Sequence, residues 1–360
     1  MRGTEFHALR VRAVDRLCAD AVAVTFAVPD DIAGLFDFRP GQSLTVRRSG
    51  GDDERRTYSI CAPAGAAPRI GVREVPGGLI SQWIVRDLRP GDLVEVAPPA
   101  GSFTPDLAAG GRHVLIAAGS GITPVLSIAA SLLREPGAEV VLLYGNRRSD
   151  TVMFAEELAD LKDAYPDRLQ IVHVLSREMR EVELFSGRLD AGRLRAMLPL
   201  LVDVPAVDHW WLCGPYGMVT AATETLGESG VEPARIHREL FWVDEAPPEP
   251  VRDERVPGSS GSRGGPGSSS CEVTVVLDGR STTLGVDNGV ALLDGLQRSR
   301  PDMPFACKGG VCGTCRARVV DGEVTMRRNF ALDAAEVGAG FVLTCQAQAV
   351  SPKVVIDFDQ

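Results

Sequence analysis

Residues 307–315 read CKGGVCGTC, and a further cysteine stands at 345. Cys307, Cys312 and Cys315 follow the spacing C-x4-C-x2-C, with Cys345 downstream. Thiolates so spaced can hold a [2Fe–2S] cluster of the plant type, for which C-x4-C-x2-C…C is the ligand pattern. Zinc sites usually arrive as paired CxxC or with histidines. The five histidines (His7, His113, His173, His209 and His237) all precede residue 245, which also excludes a Rieske centre with its two His ligands. A structural zinc knuckle and a redox thiol pair stay as alternatives. Gly309, Gly310 and Gly313 let the backbone turn tightly and aim N–H groups at sulfur.

Other candidates lie in the first two thirds of the chain. In Arg56-Thr57-Tyr58-Ser59 the arginine can hold a phosphate, the tyrosine offers a flat face to a ring system, and the serine hydroxyl can reach a ring heteroatom. Gly77 and Gly78 lead into Ser81, expected to cap a helix over 81–87; glycine-freed amides at a helix start form an anion site. In GSGITP, Gly119 and Gly121 permit close approach of a pyrophosphate, with Thr123 as N-cap and Pro124 in the first turn. Pro124 stands where G-x-G-x-x-G has its third glycine. Ser176 and Arg177 follow a strand, where an arginine can clamp a 2′-phosphate with help from Arg188. Cys213 and Gly214 end a later strand. Taken singly, each has a plain reading: a strand end, a capped helix, a tight β–α turn, a solvated basic loop, a small buried thiol.

The elements that position these residues fall into three sets. Short Val/Thr/Ile-rich runs at 5–105 (AVAVTFAV, SLTVRR, RIGVREV, DLVEVA), punctuated by RPGQ and RPGD, predict an antiparallel β-barrel. Residues 112–242 alternate apolar runs (HVLIAAG, EVVLLYG, LQIVHVL, HWWLCG) with helical segments, which predicts an α/β domain with a parallel sheet. Residues 245–270, rich in Pro, Gly, Ser and charge, predict a flexible linker. The last 90 residues open with a hairpin turning at Asp278-Gly279 and continue with a short helix, the cysteine loop and two strands. The expected domains are thus 1–108, 109–244, the linker 245–270, and 271–360.

Composition bounds the function. The 360 residues are 44% hydrophobic and 24% charged, with a formal charge of −10. The basic footprint of a nucleic-acid binder is missing, no apolar run is long enough to span a membrane, and the start has no signal-peptide core. The expectation is a cytoplasmic protein without nucleic-acid or membrane partners. Cys18, Cys61, Cys213 and Cys271 are expected as free thiols.

The C-terminal module, on its cysteine spacing, resembles a plant-type ferredoxin. That implies an α+β β-grasp fold and Cys307, Cys312, Cys315 and Cys345 as cluster ligands. R-x-Y-S and then G-x-x-S in a β-rich domain, ahead of an α/β domain with G-x-G-x-x-P and Cys-Gly-Pro, resemble the ferredoxin–NADP reductase superfamily. The resemblance implies that Arg56, Thr57, Tyr58 and Ser59 contact a flavin, FAD rather than FMN, with Ser59 near its reactive N5. It implies that Gly77, Gly78 and Ser81 meet the flavin phosphates and that Gly119, Gly121, Thr123, Pro124, Cys213 and Gly214 serve the nicotinamide cofactor. Ser176-Arg177 resembles the pair of NADP-using members, so NADPH is favoured over NADH. Glu239 and Phe241 resemble the acidic-then-aromatic ending of related reductases. Ser59, Cys213 and Glu239 are the candidate catalytic residues. The layout resembles the reductase components of multicomponent oxygenases, a plan shared by ring-hydroxylating dioxygenase and ketosteroid hydroxylase reductases. It implies an oxidoreductase that passes electrons from NADPH through FAD and [2Fe–2S] to a separate oxygenase component. The long Gly/Ser-rich linker departs from that group. The competing classes are a non-enzymatic redox sensor and a flavin reductase with a structural zinc module.

Overall fold

A computed structural model describes residues 5–48, 54–241, 254–257, 270–300, 303–305, 308–311, 313–332 and 334–360, with backbone alone at 254–257 and 334. The chain separates into two compact units, Phe6–Val243 and Asp244–Gln360.

The first unit begins with a six-stranded antiparallel sheet. Its strands are β1 (His7–Cys18), β2 (Ala21–Ala27), β3 (Ser43–Arg48), β4 (Arg55–Ser59), β5 (Arg69–Arg73) and β6 (Leu93–Val96), in spatial order β4-β3-β6-β1-β2-β5. The two ends meet at an Ile60–Ile70 bridge, which closes the expected barrel and leaves β4 and β5 no free edges there. Leu9, Val11, Val24, Phe26, Leu44, Val46 and Val72 fill it. β1 is missing from the sequence reading. Leu9 and Val11 alternate with arginines, but register irregularities at Val11/Ala13 and Arg16/Cys18 break the period of two. Helix α1 (Leu79–Arg86) lies against the barrel, with Ile80, Ile84 and Val85 buried.

The parallel sheet follows: β7 (Gly111–Ala118), β8 (Ala138–Asn146), β9 (Leu169–Leu175), β10 (His209–Pro215) and β11 (Ile236–Phe241), in order β11-β10-β7-β8-β9. Its connections are α2 (Ile122–Leu132), α3 (Ala155–Ala164), α4 (Ala191–Leu201) and α5 (Tyr216–Glu228). One face of the sheet packs with α2, α3 and barrel residues Ala21, Ala23, Cys61 and Phe103. The other packs with α4 and α5. Strand order reverses between β7 and β10, so the crevice beyond their carboxyl ends is the switch point where α/β sheets bind ligands. Helix α4, with Pro199 inside it, was not read from the sequence.

At the amino ends of the same strands, His113, His209 and His237 gather around Trp211. His209 Nδ1 and His237 Nε2 are 3.1 Å apart, Trp211 Nε1–H donates to His113 Nδ1 at 3.3 Å, and Trp211 stacks on His237 with centroids 4.1 Å apart. Burial and its two histidine neighbours push the His237 imidazole down to about 4, and burial lowers His113.

In the second unit, β12 (Glu254–Pro257), β13 (Ser270–Leu277), β14 (Arg280–Asp287), β15 (Arg316–Asp321), β16 (Glu323–Met326), β17 (Phe341–Leu343), β18 (Ala347–Ala349) and β19 (Lys353–Asp357) form two sheets, β14-β13-β19-β15-β17 and β12-β16-β18. Helix α6 (Leu292–Gln297) closes the core with Leu292, Leu293 and Leu296, and α7 (Ala334–Gly338) precedes β17. Strands β13 and β19 run parallel at the centre of a mixed sheet with a helix across it, in keeping with the expected α+β class. The β13–β14 hairpin turns at Asp278 and Gly279, both at positive φ (53° and 69°), and the Asp359 carboxylate accepts both of their amides. Within the stretch read as a linker, Glu254–Pro257 pairs antiparallel with β16, whose outer edge would otherwise carry unpaired backbone groups. Residues 245–253 and 258–269 lie outside the described residues.

Cys18, Cys61, Cys213 and Cys271 are in no disulfide. No helix among the described residues is long and apolar enough to cross a membrane.

Candidate functional site

Strand β4 is itself the R-x-Y-S stretch. The Arg56 guanidinium pairs with Glu54 at 2.6 Å, and Thr57 meets Thr45 hydroxyl to hydroxyl at 2.9 Å across the β3–β4 ladder. Burial holds the Tyr58 phenol well above its usual range, with Arg56 pulling the other way. Ser59, at the end of the strand, is 3% exposed, and its hydroxyl donates to Glu239 Oε2 at 3.3 Å.

Glu239 arrives from the other domain of the same unit. On β11 it stands opposite Cys213 of β10, and the buried Cys213 Sγ is 4.0 Å from Glu239 Oε2. Burial pushes the Glu239 carboxyl up to about 7, against the lowering effect of the Ser59 hydroxyl. Burial and Glu239 together raise the Cys213 thiol far above its usual value. At neutral pH the junction therefore holds a thiol and a carboxyl divided between its acid and its carboxylate. Phe241 stands opposite Pro215 on the same pair of strands.

The glycine turn after β7 backs onto this junction. A Cβ on Gly121 would lie 2.2 Å from the Cys213 carbonyl oxygen, and one on Gly214 would lie 2.9 Å from Met218 Cε and 3.2 Å from the Ala118 nitrogen. No larger residue fits without moving backbone. Helix α2 starts at Ile122, with Gly121 rather than Thr123 in the N-cap position, and Thr123 Oγ1 donates back to the Ser120 carbonyl. Pro124 sits in the first turn, as expected. Helix α1 likewise starts at Leu79 with Gly78 as N-cap. Ser81 lies inside its first turn, where its hydroxyl accepts from Val75 N and donates to Gly78 O. The two expected caps are thus corrected by two positions at α2 and three at α1. Glycine can occupy the N-cap, and the hydroxyls instead close the preceding turns.

The correction bears on cofactor fit. Neither α1 nor α2 has a side-chain cap bond, so the amides of each first turn are left without a side-chain acceptor. Gly77, at φ 74°, has nothing within 4 Å of its absent Cβ, and at Gly119, at φ 56°, the nearest atom is Arg73 Nη1 at 3.4 Å. Two open glycine turns ahead of uncapped helix starts are a donor set that fits phosphate oxygens. Arg73, missed in the sequence, reaches this turn from β5, where Asp20 pairs with it at 3.2 Å.

Backbone bonds from Ser176 N to Asn146 O and from Arg177 N to Arg147 O set the residues after β9 beside those after β8. Gly187 N bonds Leu175 O and Ser186 bridges Leu175, which brings the Arg188 segment alongside. The exposed Arg177 guanidinium makes no hydrogen bond or ion pair with the described residues. Arg147, not singled out in the sequence, belongs to the same basic corner and pairs with Asp20 at 3.3 Å.

In the second unit Cys315 and Cys345 are 3% and 4% exposed. Thr344 binds the Cys315 carbonyl through both its amide and its hydroxyl, at 3.1 and 3.0 Å, so the two cysteines are neighbours across the strands. Gln346 Nε2 donates to the Lys308 carbonyl and lies 3.6 Å from Cys345 Sγ. Lys308, Gly310 and Gly313 take positive φ values of 49°, 79° and 69°, the tight backbone the glycine content predicts. Cys307 and Cys312 lie outside the described residues. The two cysteines that are described, both buried and tied by these bonds to a loop with left-handed backbone, fit a thiolate-held cluster.

Comparison with known proteins follows the same division. An oxidoreductase FAD-binding domain matches residues 8–104, an oxidoreductase NAD-binding domain residues 115–224, and a 2Fe-2S iron-sulfur cluster binding domain residues 275–350. A component of 1,2-phenylacetyl-CoA epoxidase from Escherichia coli (strain K12) is 39% identical over 99% of this chain and 98% of its own. The ferredoxin reductase component of 3-ketosteroid-9-alpha-monooxygenase from Rhodococcus rhodochrous is 35% identical over 97% and 96%. Among solved structures, phthalate dioxygenase reductase superposes with a TM-score of 0.62 over 98% of both chains at 23% identity, a likeness of fold.

Proposed function

The chain belongs to the family of FAD-, NAD- and [2Fe–2S]-binding reductases that includes this 1,2-phenylacetyl-CoA epoxidase component and the 3-ketosteroid-9-alpha-monooxygenase reductase components, and on that premise we propose that it carries electrons from NADPH to a separate oxygenase component, that of phenylacetyl-CoA epoxidase. The observation that carries the reading is the junction of Ser59, Glu239 and Cys213, where the barrel and the parallel sheet each deliver polar groups to one point. When bound, a flavin would supply acceptance of a hydride from the nicotinamide and release of single electrons to an iron–sulfur cluster.

The chain's residues divide the remaining work. Arg56, Thr57 and Tyr58 would hold the flavin along β4, with Ser59, whose hydroxyl meets Glu239, near its reactive N5. Gly77, Gly78 and Ser81 shape the α1 start for the flavin phosphates. Gly119, Gly121, Thr123 and Pro124 shape the α2 start for the dinucleotide pyrophosphate, and Cys213 and Gly214 border the nicotinamide. Glu239, half protonated near pH 7, can give or take a proton through Ser59. Phe241 borders the ring from the sheet edge. Ser176, Arg177 and Arg188 bind a 2′-phosphate, which favours NADPH over NADH. Cys307, Cys312, Cys315 and Cys345 ligate the cluster. The domains run 1–108, 109–244 and 271–360 around the linker 245–270, in a cytoplasmic protein.

The test is spectroscopic and then kinetic. Anaerobically purified protein is expected to show flavin and iron–sulfur absorption bleached by NADPH, with NADPH outcompeting NADH in turnover. It is expected to reduce the phenylacetyl-CoA epoxidase oxygenase component. Colourless protein, EPR-silent after dithionite, ends the proposal; preference for the 3-ketosteroid enzyme's oxygenase redirects it to the other relative.

A further inference from the structure

Basic residues stand on and beside the cysteine loop of this otherwise acidic chain. Lys308 follows Cys307 and Arg316 follows Cys315. Two more arginines reach the loop from the β16 end. Arg327 N bonds the carbonyl of Gln346, whose side-chain amide in turn holds the Lys308 carbonyl. The Arg328 carbonyl lies 3.2 Å from where a Cβ on Gly310 would be, and Phe330 N bonds Gly310 O. Four basic residues thus have their backbone on or next to one loop. Lys308 and Arg316 are partly offset by Asp294 at 3.0 Å and Glu336 at 3.1 Å. Arg327 is exposed and Arg328 half-buried, and neither guanidinium makes a hydrogen bond or ion pair with the described residues. The partly buried Val311 and Phe330 belong to the same stretch, with Phe330 N bonded to Gly310 O. A small apolar centre inside a charged rim is the anatomy of a transient docking face.

We propose that this collar docks an acidic surface on the oxygenase component, with Arg327 and Arg328 as its free cations; the proposal rests on the functional reading above. An acidic chain with a formal charge of −10 is repelled by most acidic surfaces, so a local basic rim decides which face of it can approach one. A tethered domain already meets its own flavin partner at an effective concentration of order mM and has little need of long-range steering. A separate partner at low concentration gains from it directly, through on-rates. Each docking event passes one electron, so a hydride's two electrons require two encounters.

The experiment measures electron delivery by the full-length holoprotein to the phenylacetyl-CoA epoxidase oxygenase component by stopped flow, across a salt series. The wild-type rate is expected to fall steadily with NaCl. An Arg327→Ser/Arg328→Ser variant is expected to deliver about tenfold more slowly at low salt, and Arg327→Lys/Arg328→Lys to keep most of the rate. The gap closes near 1 M, where screening acts over about 3 Å. Flavin reduction by NADPH and the EPR signal of the cluster stay unchanged in both variants. Equal delivery by the serine variant at low salt overturns the proposal, and so does a wild-type rate indifferent to salt, which needs no variant. A wild-type chain whose cluster NADPH reduces but which delivers nothing to this oxygenase refutes the functional reading itself, and the docking proposal with it.

Discussion

Two half-buried groups on β11 titrate in opposite senses, and their variants make a paired test. His237 has its folded pKa depressed from the usual 6.5 to about 4. Above 6.5 neither state holds the proton; below it the unfolded chain takes one up that the folded chain refuses, so stability falls as pH falls toward 4. Glu239 has its folded pKa raised from the usual 4.5 to about 7. Its contribution is fully present below 4.5 and is lost as pH rises through 7, because the unfolded carboxyl ionises first. At about 1.4 kcal/mol per pKa unit, taking the pH from 7 to 5 costs about 2 kcal/mol through His237 and returns about 2 kcal/mol through Glu239. The two nearly cancel in the wild type. His237→Gln is expected to gain about 2 kcal/mol on acidification relative to wild type, and Glu239→Gln to lose about the same. Urea unfolding at pH 7 and pH 5, followed by the fluorescence of the buried Trp210 and Trp211, measures both slopes. The difference between the two variants' slopes removes every other titrating group. If both variants keep the wild-type slope, these burial-driven shifts do not exist and the acid–carboxylate picture of the junction falls with them.

Further expectations are narrower. Gly121→Ala places a Cβ 2.2 Å from the Cys213 carbonyl, so it should cost about 1–3 kcal/mol of stability and depress NADPH-driven flavin reduction, read by thermal melts and stopped flow. Arg177→Ala should raise KM for NADPH about tenfold or more and leave KM for NADH nearly unchanged, because one charge-assisted phosphate contact is lost; equal effects on both donors would remove Arg177 from the 2′-phosphate site. Cys345→Ser should abolish the cluster's EPR signal and iron content while the flavin spectrum persists, since the flavin residues lie in the other compact unit. Ser59→Ala should slow hydride transfer about tenfold or more with little change in flavin content, and should shift the pH profile governed by Glu239, whose hydrogen-bond donor it removes.

Much of this site was legible because its residues are close in sequence. The cysteine spacing, the R-x-Y-S strand and the glycine turns each announce local backbone geometry. What the sequence hides is pairing over distance. Nothing local says that Ser59 meets Glu239, because that contact needs the barrel docked on the sheet and β11 laid beside β10. The gathering of His113, His209 and His237 depends on the same strand order. The helix starts were misplaced because propensity favours Ser and Thr as caps, whereas Gly78 and Gly121 occupy those positions and leave the amides open. β12 was invisible because its composition is that of a linker, and only the exposed edge of β16 gives it a partner.

Gly71 on β5 has no room for a side chain: a Cβ there would lie 2.5 Å from Thr123 Cγ2 and 2.8 Å from Phe154 Cζ. Barrel and parallel sheet are therefore keyed together through a notch only glycine can form. Anyone building chimaeras among these reductases inherits that constraint. A crossover near residue 108 would mate a lock with a foreign key, whereas one placed after Phe241 would exchange the electron outlet and leave the keyed halves matched.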